Sequence, residues 1–332
     1  MRPLIASGTH ALAICLFGLL RKGGALLSIS GQPYDTLHAV IGIDGQGQGQ
    51  GSLAEWGCLR PGRACGGAVS TGGASLRNSH RRCGWWPSSA PEVTASPAHP
   101  QPRPSAIAHF VHQLRPDVVV MVDNCYSGFT RLAEPVELGG GRHRRSLIKN
   151  PRRPGPYRRL HRRQGRKLIE RISYRMTSPG LGRGWAPTPQ GISLLPGPVH
   201  GPHVVLQSLK GAALFAKVFK TQGYRTLPGA EETRNDIIQS IIFGKREGLI
   251  AFCQGIQKGS PVDAMAVPEA WHMPGYQHQV IMAAGAFVQG ASIELSADAP
   301  MREPFAAYLQ GGLCYDQCFL AAAMALDAVM RA

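Results

Sequence analysis

Val118–Val122 is an unbroken apolar run closed by Asp123-Asn124. A strand without polar alternation must be buried on both faces, and that happens mainly in parallel sheets covered by helices. Ile107–Leu114, just before it, has the apolar spacing of a helix. The same order opens the chain: Ala11–Leu20 is helical in pattern, Arg21–Gly24 is a stop, and Ala25–Ile29 is a short apolar strand. Helix, turn and strand in this order predict an α/β fold with a mostly parallel central sheet. The Ala11 helix has no strand ahead of it, so N-terminal sequence is expected to be missing.

The pattern is not continuous. Residues 61–105 are rich in Gly, Pro, Ser and Arg and have no lasting period. Residues 139–145 and 184–200 are similarly poor. Between them, Arg166–Ser178 is helical up to Pro179. From His203 onward the pattern is good throughout. His203–Phe219 predicts a long helix, Glu247–Ile256 another, Ser292–Asp298 a strand and Tyr315–Met330 a closing helix. This suggests a large domain over 1–204 and a linking helix with a smaller α+β domain over 205–332.

The formal charge is +16, from 36 basic and 20 acidic residues. Taken whole, that suggests a polyanionic partner. Yet Arg142–Lys167 alone holds 12 Arg or Lys and no acid, which leaves an ordinary +4 for the rest. Only Tyr157 interleaves with the run, and Pro154 and Pro156 break any helix through it. A nucleic-acid surface needs aromatics or a regular element to present the charge, so specific nucleic-acid binding is the weaker reading. The eight Cys form no CxxC pair and no zinc-finger spacing, so they read as free thiols, with no metal site. No leader-like segment opens the chain, and no apolar run is long enough to span a membrane. A cytoplasmic protein is the default expectation.

Eight short segments occur in order: SGTHA at 7, GQPYDTL at 31, GSLAEWG at 51, VVMVDNCYSGF at 119, SLIKNP at 146, KGSPVD at 258, the long MPGYQHQVIMAAGAFVQGASIELSAD at 273, and YLQGGLCY at 308. Together they closely resemble the pyridoxal-phosphate enzymes of the aluminium-resistance or methionine gamma-lyase family. Each is weak alone, but the ordered set is specific. The resemblance implies a fold-type I transferase scaffold and pyridoxal 5'-phosphate as cofactor. It further implies a homodimer or homotetramer and elimination of a thiol from a sulfur-containing amino acid. Cystathionine beta-lyase-like, transferase or racemase chemistry would use the same motifs, and a non-catalytic copy would retain them.

The resemblance also implies roles. Ser7, Gly8 and Thr9, ahead of the first helix, would hold the phosphate on backbone N–H groups. Tyr34 would stack on the pyridine ring and assist the leaving group. Asp123, at a parallel strand end, would hold a proton on the ring nitrogen. Lys149, 26 residues later, would form the Schiff base and move protons. Ser146 matches a phosphate-binding hydroxyl. Taken alone, these residues read as a helix cap, a turn tyrosine, a strand-end cap and a solvated lysine. The wider group has an arginine for the substrate carboxylate near its C-terminus, but AAYLQGGLCY has none. Arg302 and Arg234 are the candidates left.

After SLIKNP the family continues with a neutral glycine-rich stretch, where this chain has RRPGPYRRLHRRQGR. Codons exist for Arg152–Gln164 that, read one base later, give GGLAPTGGYIAG. Cys83–Ala95, Ser193–His200 and Gly139–Ser146 likewise have codings whose neighbouring frame restores family-like sequence. The reading that follows is that 61–105, 141–145, 152–165 and 184–200 are translated out of frame, so that the literal chain lacks a sheet strand near residue 90 and is at risk of incomplete folding. Resequencing the locus is expected to show small insertions or deletions near codons 61, 105, 141, 152, 165, 184 and 200. A confirmed frame with the protein translated as written would remove this reading.

Overall fold

The computed structural model describes residues 8–20, 24–28, 40, 54–58, 70–71, 74–75, 82–87, 104–123, 125–132, 142–144, 164–175, 196–273, 276, 278–288 and 290–332. The chain divides into two units. The first is formed by 1–125, 133–145 and 154–195, the second by 126–132, 146–153 and 196–332. The division after 195, rather than after 204, follows from one helix. Pro196–Thr221 is continuous, and a continuous helix belongs whole to the unit that it packs in.

In the first unit the order is α1 (Gly8–Leu19), β1 (Gly24–Ser28), β2 (Ala54–Cys58), a small hairpin of β3 (Ser70–Thr71) and β4 (Ala74–Ser75), β5 (Arg82–Pro87), α2 (Pro104–Leu114), β6 (Val119–Asp123), β7 (Arg142–Arg144) and α3 (Gln164–Ser173). Five strands form one sheet in the order β2-β1-β5-β6-β7, and every pair in it is parallel. Val120, Met121 and Val122 of β6 are buried, as an unalternating run requires. Leu12 and Leu16 of α1 pack with Leu26 of β1 and Met121 of β6. Helix α3 lies close on α1, where a Cβ at Gly18 would meet the Ile172 backbone at 2.8 Å.

One expectation is corrected. The sheet does not lack a strand near residue 90: Arg82–Pro87 lies between β1 and β6 and pairs with both. Parallel pairing is made by backbone groups that every non-proline residue carries, and buried groups of this kind need partners. The Cys-Gly-Trp-Trp stretch also contains the residue types that tolerate strands.

In the second unit the order is α4 (Pro196–Thr221), β8 (Arg225–Leu227), β9 (Ile238–Ile242), α5 (Arg246–Lys258), β10 (Val280–Ala283), β11 (Ser296–Pro300), β12 (Ala306–Gln310) and α6 (Tyr315–Arg331). The five strands form an antiparallel sheet in the order β10-β11-β12-β9-β8. Helix α4 begins before the predicted His203, with Pro196 and Pro198 in its first turn, where a missing N–H costs little. The predicted strand Ser292–Asp298 is divided. Ser292–Glu294 is a 3-10 turn, and Leu295 has φ 149°, so pairing starts only at Ser296. Glu294 is turned back by its own carboxylate, which accepts the N–H groups of Phe287 at 2.5 Å and Val288 at 3.2 Å.

One face of this sheet is lined by Ala283, Ala297, Ala299, Ala307 and Leu309 and is covered by the helices. Phe215 and Phe219 of α4, Phe243 and Phe252 form an aromatic cluster there, with Phe219 edge-on to Phe252 at 5.3 Å. Helices α5 and α6 meet through small residues. A Cβ at Gly255 would run into the backbone of Ala325, and one at Gly259 would lie 2.6 Å from Ala321 Cβ. No described helix is long and apolar enough to cross a membrane. Gly255→Val is expected to destabilise the protein by about 2 kcal/mol or more, because the clash is with backbone that cannot turn aside. A urea-unfolding midpoint lowered by less than the equivalent of about 0.5 kcal/mol would show that the helices can separate without loss.

Candidate functional site

Asp123 is the last residue of β6 and lies at the C-terminal edge of the parallel sheet. In register it is flanked by Pro87 of β5 and Arg144 of β7. Its Oδ1 accepts a hydrogen bond from the Cys125 thiol at 2.8 Å. The chain returns from Leu19 to Gly24 in a short step, so α1 runs back along the sheet that it packs on. Its N-terminus, at Gly8 and Thr9, therefore lies at the strand end that carries Asp123. Free backbone N–H groups collect at such a terminus, and no acidic residue occupies its first turn. An anion-accepting helix start and a carboxylate thus share one end of the sheet. That matches a ligand with a phosphate at one point and a protonated ring nitrogen at another. Ser7, Tyr34, Ser146 and Lys149 lie outside the described residues.

The second unit contains both candidate arginines, and their surroundings differ. Arg234 Nη2 donates to Gln239 Oε1 at 2.6 Å and to the Gly229 carbonyl at 3.5 Å. Gln239 is fully buried and is held by its own donations to the carbonyls of Pro228 and Ser240. Arg234 Nε and Nη1 are buried and have no hydrogen-bond partner. Burial pushes this guanidinium below its usual range, against the opposing pull of Asp236 and Glu232. Two buried donors on a cation are costly to leave unpaired, and they suit a carboxylate. Arg302 lies in the turn between β11 and β12, where its N–H donates to the Pro300 carbonyl and its carbonyl accepts from Phe305.

Contacts that sequence reasoning missed bind the loop after Asp123 to the Arg234 loop. Within the second unit, Thr130 Oγ1 donates to the Asn235 carbonyl at 2.9 Å, and Arg131 Nε donates to Asn235 Oδ1 at 2.7 Å. Nothing in either segment announces a partner more than 100 residues away. Also missed were Gln310 and Asp298, which are joined by a 2.9 Å bond from Gln310 Nε2 to Asp298 Oδ2. Their only signal was their place inside the quoted motifs. Among the described residues no cluster of His, Cys, Asp or Glu is arranged to hold a metal ion.

A family model described as methionine gamma-lyase matches residues 1–60 and 103–330. The chain belongs to that family. The match leaves out 61–102. A curated relative, the YnbB protein of Bacillus subtilis, is 40% identical over the whole of this chain and 79% of its own length. Among solved structures, a candidate cystathionine beta-lyase involved in aluminium resistance from Listeria innocua is 34% identical, with a TM-score of 0.79. The match covers 98% of this chain and 80% of that one. A carbon–sulfur lyase involved in aluminium resistance from Clostridium novyi is 34% identical with a TM-score of 0.76, covering 99% of this chain and 78% of its own. The mixed α/β fold is the one that these lyases share.

Asp236, beside Arg234, has a carboxyl pushed up to about 6 by burial, while the Ile238 N–H and Arg234 hold it back. An unfolded Asp titrates near pH ~4. The folded state therefore binds the proton more tightly, and its advantage is full below pH ~4 and is lost as pH rises to about 6. Asp236→Asn is expected to gain stability relative to the unmutated protein across that window and to show no further relative change above it. Unfolding midpoints at several pH values check this, and a relative stability independent of pH would show that Asp236 is solvated.

Proposed function

We propose that this chain is a pyridoxal-phosphate-dependent carbon–sulfur lyase that eliminates a thiol from a sulfur-containing amino acid, in the manner of methionine gamma-lyase. Support comes from a family match that spans most of the chain, together with one observation: Asp123 and the α1 N-terminus lie at the same end of a parallel sheet. The bound cofactor would supply an electron sink for the Cα carbanion. Gly8 and Thr9 would bind its phosphate on backbone N–H groups, with Ser7 and Ser146 adding hydroxyls. Asp123 would hold the proton on its ring nitrogen, and Tyr34 would stack on the ring and assist the leaving group. Lys149 would anchor the aldehyde carbon and then, once released, take the Cα proton.

Arg234 is the better candidate for the substrate carboxylate, since two of its buried nitrogens lack partners. Arg302 is the alternative. The name of the Listeria innocua relative favours beta-elimination from cystathionine as a second reading of the same site.

The purified protein, treated with pyridoxal phosphate and borohydride, is expected to carry the label on Lys149 by peptide mapping. Label on Lys167 or Lys258, or none, would refute that role. Asp123→Asn retains the shape but loses the charge, so it is expected to slow Cα proton exchange by at least ~100-fold while cofactor binding falls less. Equal exchange in both proteins would reduce Asp123 to a cap.

A further inference from the structure

Asp123 does not stand alone at the end of β6. Cys125 follows two residues later, just past the strand, and is half-buried. Its Sγ lies 2.8 Å from Asp123 Oδ1. Of the two groups only the thiol can donate, because an ionised carboxylate is an acceptor alone. The proton is therefore on sulfur, and the bond runs from Cys125 to Asp123. Both residues belong to the first unit.

An aspartate carboxylate turns easily about its last torsion, which is broad and roughly two-fold. Such a turn moves both oxygens, and with them the direction in which the charge is offered. Pro87, the register partner of Asp123 on β5, has no backbone N–H with which to oppose it. A donor on Oδ1 does oppose it. The residue type matters as well. A thiol is a weak donor, so Cys125 fixes the plane of the carboxylate while drawing little on its charge. A lysine or arginine in its place would bind the carboxylate strongly and spend that charge.

We propose that Cys125 is a positioning residue whose thiol fixes the plane of the Asp123 carboxylate, so that the charge stays directed at the protonated ring nitrogen of the cofactor. The inference rests on the lyase reading above, and Cys125 acts in it only through Asp123. Two effects of losing the thiol oppose each other. Without the donor the carboxylate keeps slightly more of its charge, which strengthens its hold on the ring proton. It also loses its fixed direction, which weakens that hold. A bond from a charged N–H to a carboxylate is strong and depends on alignment, whereas a bond from a thiol is weak. The loss of direction is therefore the larger effect.

The test reads that proton directly. The full-length protein is loaded with pyridoxal phosphate isotopically labelled at its ring nitrogen. The NMR shift of that nitrogen, which separates its protonated from its free form, is followed against pH. Cys125→Ala is expected to lower the midpoint by at least ~1 pH unit, a factor of ten in proton affinity, and to slow Cα proton exchange by about as much. Cys125→Ser, which returns a donor, is expected to restore most of both. A midpoint unchanged or raised in Cys125→Ala, or Cys125→Ser no better than Cys125→Ala, overturns the positioning role and leaves the lyase reading in place. If Cys125→Ala does not fold, Cys125→Val, which keeps the bulk without the donor, decides by the same criteria. If the unmutated protein takes up no labelled cofactor, or holds the ring proton no better than Asp123→Asn does, the lyase reading fails at Asp123 and the role of Cys125 fails with it.

Discussion

The close approach of α5 to α6 is the contact on which the second unit depends. It is possible only because Gly255 and Gly259 have no side chains where Ala325 and Ala321 press in. Once the helices lie that close, the sheet beneath them can be faced with alanines, and the aromatic cluster of Phe215, Phe219, Phe243 and Phe252 fills the remaining volume. Packing at this density leaves little freedom for the strands. Their register is then the register of whatever projects from the other face, including Asp298 and Gln310.

In the first unit the governing interaction is of another kind. Parallel strands are joined by backbone groups that do not depend on residue type, so a segment of unpromising composition can occupy the slot between β1 and β6. The same pairing holds Asp123 at the strand end between Pro87 and Arg144. A residue placed by backbone pairing is insensitive to the side chains around it. A helix placed by Leu12 and Leu16 against Leu26 and Met121 is not.

Much of the regular structure was legible in the residues. The unalternating run at Val118 predicted a buried strand, and β6 is one, one residue later. Glu247–Ile256 and Tyr315–Met330 predicted the cores of α5 and α6 to within two residues at either end. The two misreadings have different causes. Ser292–Asp298 alternates as a strand does, but Glu294 spends its carboxylate on two backbone N–H groups, and that local bond outweighs the pattern. The start of α4 was missed because three prolines obscured it, although two of them lie where a helix tolerates proline.

The sequence by itself determined the family, through an ordered set of motifs, and the position of Asp123 at a strand end, through the apolar run before it. Both are local properties, written in consecutive residues. The tertiary structure alone decided which polar atoms have partners. Arg234 retains two unpaired nitrogens and Gln310 an unpaired oxygen because of neighbours brought by Gln239, Gly229 and Asp298, and of burial by elements distant in the chain. Hydrogen-bond satisfaction is a sum over everything that surrounds an atom, and no stretch of sequence carries that sum.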